Sequence, residues 1–302
     1  MVVHTISGAA PGRRTEHRAG WGLVAPFLVI YLLFLVVPTL YGFVMSFFNG
    51  ALVKSGLGSF AGVSNYLEAL TSADFWSSTW HTLLFTIMTT PPLVIVALAL
   101  AILTDRMRHG RWFFRLVFFA PYVVPVASVA LIWTWLYTPK IGLWESWLGA
   151  VGISAPNWLG DPNWAMASVA LTTVWWTLGF NFVLYLAGLQ EIPRELYEAS
   201  AVDGASPWSQ LWNITIPMLR RTTVLVLLLQ AIASLKVFDQ IYLMTEGGPN
   251  FATRPIIGYI YDIGFTDFRT GYAAAISTLY FVLILTVSVI WLLVNRRQLR
   301  EV

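Results

Sequence analysis

The chain has 302 residues, of which 57% are hydrophobic and 11% are charged, and its mean hydropathy is +0.69. Because soluble domains contain about 25% charged residues, this composition indicates an integral membrane protein. The absence of cysteine excludes disulfides, iron–sulfur clusters and thiolate zinc sites, and the four histidines lack metal-ligand spacing, so no metal site is predicted.

Six hydrophobic runs, each long enough to span a bilayer as a helix, divide the chain. The runs are continuous rather than alternating, which argues against membrane strands and predicts an all-α membrane protein. Residues 1–20 are predicted to be a retained cytoplasmic tail, because the next apolar run is too long for a signal peptide and lacks a cleavage site. The predicted spans lie at about 22–47, 79–104, 113–137, 165–189, 219–244 and 272–295.

The distribution of basic residues predicts the orientation, since Lys and Arg collect in short cytoplasmic loops. With both termini inside, the cytoplasmic set is Arg13, Arg14, Arg18, Arg106, Arg108, Arg111, Arg115, Arg194, Arg220, Arg221, Arg296, Arg297 and Arg300. The outer loops then hold only Lys54, Lys140, Arg254 and Arg269. The net charge of +3 therefore reflects membrane orientation and does not indicate nucleic-acid binding.

Motifs of enzyme active sites are missing from the sequence. It contains no GxxxxGK[ST] phosphate loop, no GxSxG elbow and no HExxH pair, and its acidic residues give no support for a catalytic carboxylate pair. The chain is therefore predicted to be no enzyme and to take energy for any transport from another source.

Polar residues inside the predicted spans are informative, because buried polarity in a bilayer lines a cavity or joins helices. In the fifth span, helical spacing places Gln230, Ser234, Val237 and Ile241 on one face, whereas Lys236 and Asp239 lie elsewhere on the helix and can pair. For that pair, a structural bridge is as plausible as a substrate contact.

The fourth span carries aromatic and polar residues around Gly179, namely Trp176, Thr177, Phe180 and Asn181. Aromatic faces with a few hydrogen-bonding groups suit a sugar ring, although ordinary helix packing explains any one position equally well. In the third span, Pro121 and Pro125 predict an interrupted helix, and Ser128 is added to the candidate path for its polarity.

Outer loops contain many aromatic residues, for which an interfacial belt is the default explanation over ligand contact. The last outer loop, 246–272, begins with a predicted turn at Gly247, Gly248 and Pro249. Its aromatic-rich remainder is predicted to fold back into a vestibule.

Residues 192–219 form a polar segment between the fourth and fifth spans. Pro193 suits a first helical turn, and Glu195 and Glu198 lie near the positive end of that helix. Gly204 suits the end of the helix, and the pair Ser206–Pro207 suits the start of a second one, predicted to stop before Pro217. The sequence thus predicts helix, turn, helix.

This segment, EASAVDGASPWSQLWNITIPML, resembles the EAA motif, EAA…G…I.LP, of the membrane subunits of binding-protein-dependent ABC importers. Ser200 replaces the last Ala of the triplet, and Ile216 replaces the common Leu before Pro217. The segments LKVFDQIYLMTEGGP, GYIYDIGF and GYAAAISTLYF are similar to the carbohydrate branch, which includes maltose- and glycerol-phosphate-type permeases. The resemblance covers about residues 20–297.

The resemblance implies a type I importer permease fold, with a tail at 1–20, a six-helix permease domain at 21–297 and a coupling segment at 192–219. It implies a second permease subunit, two cytoplasmic ATPase subunits that bind ATP and Mg, and an extracytoplasmic solute-binding protein. The setting is the lipid of a bacterial or archaeal cytoplasmic membrane. The residues expected to couple to the ATPase are Glu195, Glu198, Ala199, Asp203, Gly204, Ile214, Pro217 and Leu219.

Six residues match positions that contact sugar in maltose-type relatives, and Ser128 and Asn181 complete the expected substrate path on polarity alone. The six are Trp176, Thr177, Phe180, Gln230, Ser234 and Val237. The expected solute is a sugar or polyol. Glycerol-phosphate or its diesters are an alternative within the same fold, and an ion-gradient-driven secondary transporter is a weaker one.

Overall fold

The computed structural model describes residues 13–51, 56–107 and 109–295 of a helical protein. Most of the predicted tail lies outside the described residues, as do Lys54, Arg108, Arg296, Arg297 and Arg300. The first helix begins at Arg13, inside the predicted tail, although its apolar part starts at Leu23.

Helices follow one another along almost the whole described chain. They are α1 (Arg13–Tyr31), α2 (Val37–Met45), α3 (Ser64–Thr71), α4 (Ala73–Arg106), α5 (Arg111–Val123), α6 (Val126–Tyr137), α7 (Leu143–Ala150), α8 (Pro162–Gln190), α9 (Arg194–Val202), α10 (Pro207–Gln210), α11 (Ile216–Met218), α12 (Arg220–Leu235), α13 (Asp239–Thr245), α14 (Ile256–Tyr261) and α15 (Thr270–Val294). Three π-helical turns occupy Leu32–Val36, Leu211–Thr215 and Asp262–Thr266. A short antiparallel pair joins β1 (Phe48–Asn49) to β2 (Ser59–Phe60).

Four helices are long and apolar enough to cross a membrane: Leu23–Met45, α4, α8 and α15. Two further pairs, α5 with α6 and Pro207–Met218 with α12, pass the same test only as bent spans, so the described residues supply up to six. The continuous spans α4, α8 and α15 match three predicted ones within about six residues at each end. Their apolar outer surfaces suit contact with lipid.

The third span is broken, as its prolines predict. Helix α5 and helix α6 meet at 96°, with Val124 in an extended conformation before Pro125. The proline lacks an N–H and its ring disfavours helical geometry at Val124. Pro121, by contrast, lies within α5 and does not end it.

The prediction of one continuous fifth span was wrong. Helix α12 ends at Leu235, where the hydroxyl of Tyr280 donates a 2.5 Å hydrogen bond to the freed carbonyl. Phe238 then leaves helical geometry and stacks on Tyr242 before α13 continues. This tertiary packing overrides the helical pattern of the sequence.

The predicted pairing of Lys236 with Asp239 is also absent from the ion pairs of the described residues. Lys236 caps the end of α12, whereas Asp239 is the first residue of α13, so the break separates their side chains. The common face predicted for Gln230, Ser234, Val237 and Ile241 does not come from one helix, but all four side chains are buried.

Residues 246–272, the predicted last outer loop, are anchored by Arg254, which is only 7% exposed. Its guanidinium forms a 2.7 Å ion pair with Asp74 at the start of α4 and lies 4.1 Å from the ring centre of Phe251. Burial raises the pKa of the Asp262 carboxyl, and the nearby Arg254 opposes that rise. Helix α14 therefore folds back against α4 and α15.

Gly179 permits the close contact between α5 and α8. A Cβ at this position would lie 2.4 Å from the carbonyl oxygen of Phe118. Ala at a helical Gly position normally stabilises the helix by up to 1 kcal/mol, but here its methyl group would force the two backbones apart. The absence of a side chain is required by packing.

We expect Gly179→Ala to lower the free energy of unfolding by about 1–3 kcal/mol, the usual cost of overpacking a core. Gly149→Ala is the matched control, because α7 is a helix and no atom lies within 4 Å of the added Cβ. Thermal unfolding in detergent compares the two variants. Equal stability of both would contradict the packing role of Gly179.

Candidate functional site

The polar segment 192–219 forms the predicted helix, turn and helix. Helix α9 ends before Gly204, whose φ of +78° suits the left-handed turn. The N–H of Ala205 then bonds to the carbonyl of Ser200 at 2.9 Å. The hydroxyl of Ser206 caps α10 by accepting from the N–H of Ser209 at 3.2 Å. Local chemistry thus fixes the turn at both ends.

Two prolines lie differently from the sequence prediction. Pro193 precedes α9 as its N-cap residue instead of entering the first turn. The second helix does not stop before Pro217, because the π-helical turn Leu211–Thr215 bonds the N–H of Ile216 to the carbonyl of Leu211. That wider turn admits Pro217 in the first turn of α11, and the chain bends by 59° at Leu219.

The eight predicted coupling residues divide into an exposed and an anchored group. Ile214 is partly buried and Leu219 is 1% exposed, and both pack in the core cluster that contains Ile192 and Val226. The segment therefore presents one face outward and fixes the other to the bundle. The residues on its exposed surface are Glu195, Glu198, Ala199, Asp203, Gly204 and Pro217.

Side chains between the two helices make the segment stiff. The amide of Gln210 donates to the hydroxyl of Ser200 at 2.9 Å and to the carbonyl of Tyr197 at 3.1 Å. The hydroxyls of Tyr197 and Thr215 lie 3.0 Å apart. Sequence reasoning missed these residues, although the departure of Ser200 from the EAA pattern was visible and supplies one acceptor.

A second candidate site is a cavity of about 440 Å³ between α4, α8 and α12. It brings together six of the predicted path residues, namely Trp176, Thr177, Phe180, Gln230, Ser234 and Val237. Eight further residues line the cavity, of which the sequence analysis considered only Lys236 as a possible substrate contact: Phe85, Tyr122, Thr173, Leu229, Ile232, Ala233, Lys236 and Gln240. Half of these eight residues lie on α8 and α12 beside the predicted ones, and the other half come from α4, from α5 or from the chain after the end of α12.

Aromatic rings form one wall of this cavity. Tyr122 and Phe180 stack with their ring centres 5.4 Å apart. The indole N–H of Trp176 donates at 3.0 Å to the carbonyl of Val124, which the break before Pro125 removes from helical bonding. The helix break therefore orients a ring at the cavity.

Buried polar groups form a network on another side. The amide of Asn181 donates to Gln230 at 3.0 Å, and Gln230 donates to Ser234 at 3.1 Å. The hydroxyl of Thr89 from α4 lies 2.9 Å from that of Ser234. These bonds join three helices. Asn181 does not itself line the cavity, but it holds Gln230, which does.

Ser128, another residue of the predicted path, lies apart from this cavity. Its side chain is exposed and does not line the cavity. Ser128 lies on α6, after the 96° bend, whereas Tyr122 on α5 lies before the bend and lines the cavity. The roles of all eight path residues remain predictions.

Comparison with known families decides the class of protein. Residues 55–300 match the model described as "Binding-protein-dependent transport system inner membrane component". The chain belongs to this family. It is a membrane-spanning permease component of a transport system rather than an enzyme, and the family predicted from the EAA segment is confirmed.

Relatives extend over nearly the whole chain. The trehalose/maltose transport system permease protein MalF of Thermococcus litoralis is 35% identical over 93% of this chain and 95% of its own. The sulfoquinovosyl glycerol transport system permease protein SmoG of Agrobacterium fabrum is 34% identical over 91% and 90%. The names of both relatives place them among carbohydrate permeases.

The fold itself matches a solved transporter chain. A bacterial alginate ABC transporter in complex with an alginate-pentasaccharide-bound periplasmic protein aligns with a TM-score of 0.82, covering 95% of this chain and 96% of that one. The sequence identity is 23%, so this likeness concerns the fold alone. The predicted importer permease fold is confirmed.

We expect Gln210→Leu to loosen the segment, because the variant removes both hydrogen bonds from Gln210 to α9. Each bond contributes about 1 kcal/mol, so amide hydrogen exchange in α9 should become about fivefold to thirtyfold faster. Asn213→Leu is the matched control, since the amide of Asn213 bonds only to Ser209 in its own helix. Unchanged exchange in Gln210→Leu would exclude the stiffening role.

Proposed function

We propose that this chain is the transmembrane subunit of an ATP-driven ABC importer for a sugar or sugar-like solute. The observation that carries the proposal is the stiff helix–turn–helix of residues 192–219, exposed on one face and anchored on the other. It suits a docking element for an external ATPase. Family membership supplies the context of binding-protein-dependent transport.

The proposed assembly contains a second homologous permease subunit, two cytoplasmic ATP-binding subunits and an extracytoplasmic solute-binding protein. ATP and Mg would bind to the ATPase subunits, and this chain would bind no cofactor. Both termini would lie in the cytoplasm. The orientation is supported by Arg194 of the coupling segment and by Arg106 and Arg111, which line the same cavity beside it.

A displacement of the coupling segment would be transmitted to α12. Leu219 is buried at the bend, so a displacement of the docked helices moves the start of α12 with it. Gln230 lies eleven residues further, roughly 17 Å along the helix, where it meets the cavity. A rigid connection over this distance couples ATPase closure to a change in the translocation path.

The cavity supports a sugar-like solute. Stacked rings at Tyr122 and Phe180 offer apolar faces for C–H groups, and Thr177 and Gln240 offer hydrogen-bonding groups for hydroxyls. Relatives named for trehalose/maltose, arabinooligosaccharides and lactose fit the same class. The chain would form half of the path, with the second permease forming the other half.

One observation favours a second candidate, glycerol-phosphate or its diesters. Lys236 lines the cavity, where an ammonium group suits a phosphate. An A. fabrum relative that is 31% identical is named for sn-glycerol-3-phosphate. An ion-driven secondary transporter has weaker support, because Asp239 is exposed at the start of α13 and does not line this cavity.

We expect Gly204→Asp to leave the protein in the membrane but to uncouple solute transport from ATP hydrolysis, because the turn would change on the exposed docking face. Proteoliposome transport and ATPase activity are measured together. Gly152→Asp is the matched control, since both glycines have a φ of +78° and neither has an atom within 4 Å of an added Cβ.

Both variants introduce the same strain, about 1–2 kcal/mol for a residue in the left-handed region. Only Gly204→Asp should lose transport. If Gly204→Asp assembles with the ATPase and transports normally, or if Gly152→Asp fails equally, the proposed coupling role is wrong.

The energy source and the solute are tested with the assembled importer. We expect transport to stop with vanadate, an inhibitor of the ATPase, and to continue with an uncoupler.

Thermal-shift screening of the cognate binding protein against sugars and glycerol-phosphates should identify a sugar. Lys236→Met should then leave KM within about twofold, whereas a tenfold rise, the loss of one charge-assisted contact, would favour the phosphate alternative.

A further inference from the structure

A cavity of about 640 Å³ lies between the coupling segment and the ends of α4, α5 and α8. Three guanidinium groups line it: Arg106 from α4, Arg111 from α5 and Arg194 from α9. Asp105 is the one carboxylate in the lining. The cavity is therefore cationic, and guanidinium groups suit the recognition of a phosphate.

The three arginines differ in how far they are already engaged. Arg106 donates at 3.3 Å to the carbonyl of Pro207, and Arg111 donates to the carbonyls of Asp105 and Met107. These contacts hold the guanidinium groups in place. Arg194 is exposed and has no hydrogen bond or ion pair within the described ranges, so its donors are available to a ligand.

An apolar groove of about 500 Å³ adjoins this cavity, since Gln190 lines both. The groove runs between α5 and α8 and is lined by Trp112, Leu116, Phe119, Val183, Leu186 and Ala187. Arg115 lies at its rim, one turn after Arg111 on the same helix. The cationic cavity thus continues into an apolar groove on the outside of the bundle.

We propose that this joined site binds an acidic phospholipid of the cytoplasmic leaflet. The phosphodiester would lie against Arg106, Arg111 and Arg194, and one acyl chain would lie in the groove between α5 and α8. Basic pockets between membrane helices on the cytoplasmic side suit anionic headgroups. A soluble phosphate satisfies the arginines but leaves the groove empty, which is why the lipid is the favoured source.

The consequence is a lipid link between the coupling segment and the bundle. Arg194 is the first residue of α9, whereas Arg106 and Arg111 belong to the membrane helices. A single phosphodiester would neutralise part of their mutual repulsion and hold α9 beside α4 and α5. Arg106 already contacts the other half of the segment through Pro207. The inference concerns lipid and does not depend on which solute is carried.

Native mass spectrometry of the full-length chain, purified with the subunits that accompany it, measures the binding of phosphatidylglycerol against phosphatidylcholine. We expect Arg194→Gln to weaken phosphatidylglycerol binding roughly fivefold or more. Arg221→Gln removes an exposed cytoplasmic charge outside the cavity and is the matched control. Ala187→Trp fills the exposed groove and should weaken binding without removing a charge.

The three variants separate the possible sources of the anion. Loss of phosphatidylglycerol in Arg194→Gln and Ala187→Trp, with retention in Arg221→Gln, supports the lipid site. Equal competition by inorganic phosphate, with no effect of Ala187→Trp, would assign the cavity to a soluble anion and overturn the proposal. Equal loss in Arg221→Gln would mean general surface attraction and would overturn it as well.

Discussion

The backbone at two broken helices must be satisfied inside the protein, because a lipid environment cannot hydrogen-bond it. The break before Pro125 frees the carbonyl of Val124, which accepts from the indole of Trp176. The end of α12 frees the carbonyl of Leu235, which accepts from the hydroxyl of Tyr280. Both hydrogen bonds come from aromatic side chains that are distant in the sequence, so the helix breaks and the packing around the cavity depend on each other.

The coupling segment follows a different physical rule. It is polar and lies beside the apolar helices, so its order comes from its own caps and cross-links rather than from burial alone. Gln210 joins the two short helices through Ser200, and Leu219 anchors the bend in the core. Stiffness at one end and anchorage at the other are the two properties that a lever between separate subunits needs.

Sequence reasoning succeeded where the pattern is local or continuous. The long apolar runs predicted α4, α8 and α15, and cap chemistry predicted the turn at Gly204. It failed where tertiary contacts decide the backbone. The sequence around Lys236 contains no helix-ending signal, although α12 ends there. The residues before Pro217 likewise give no sign of the π-helical turn that lets the helix continue through this proline. The lining of the cavity was predicted only in part. The contribution of Tyr122 was not predicted, because it depends on the bend between α5 and α6.

The polar network of the cavity also bears on how a solute would bind. Gln230 and Ser234 already bond to each other, and Asn181 and Thr89 complete the network. A sugar hydroxyl that replaced one of these bonds would gain little, since one hydrogen bond would be exchanged for another. Because Gln230 and Ser234 lie on α12, a movement of that helix past α4 and α8 would separate Gln230 from Asn181 and Ser234 from Thr89 and would leave these groups free to bond to a solute. Affinity for solute would then depend on the position of α12, which is the property required to bind on one side of a membrane and release on the other.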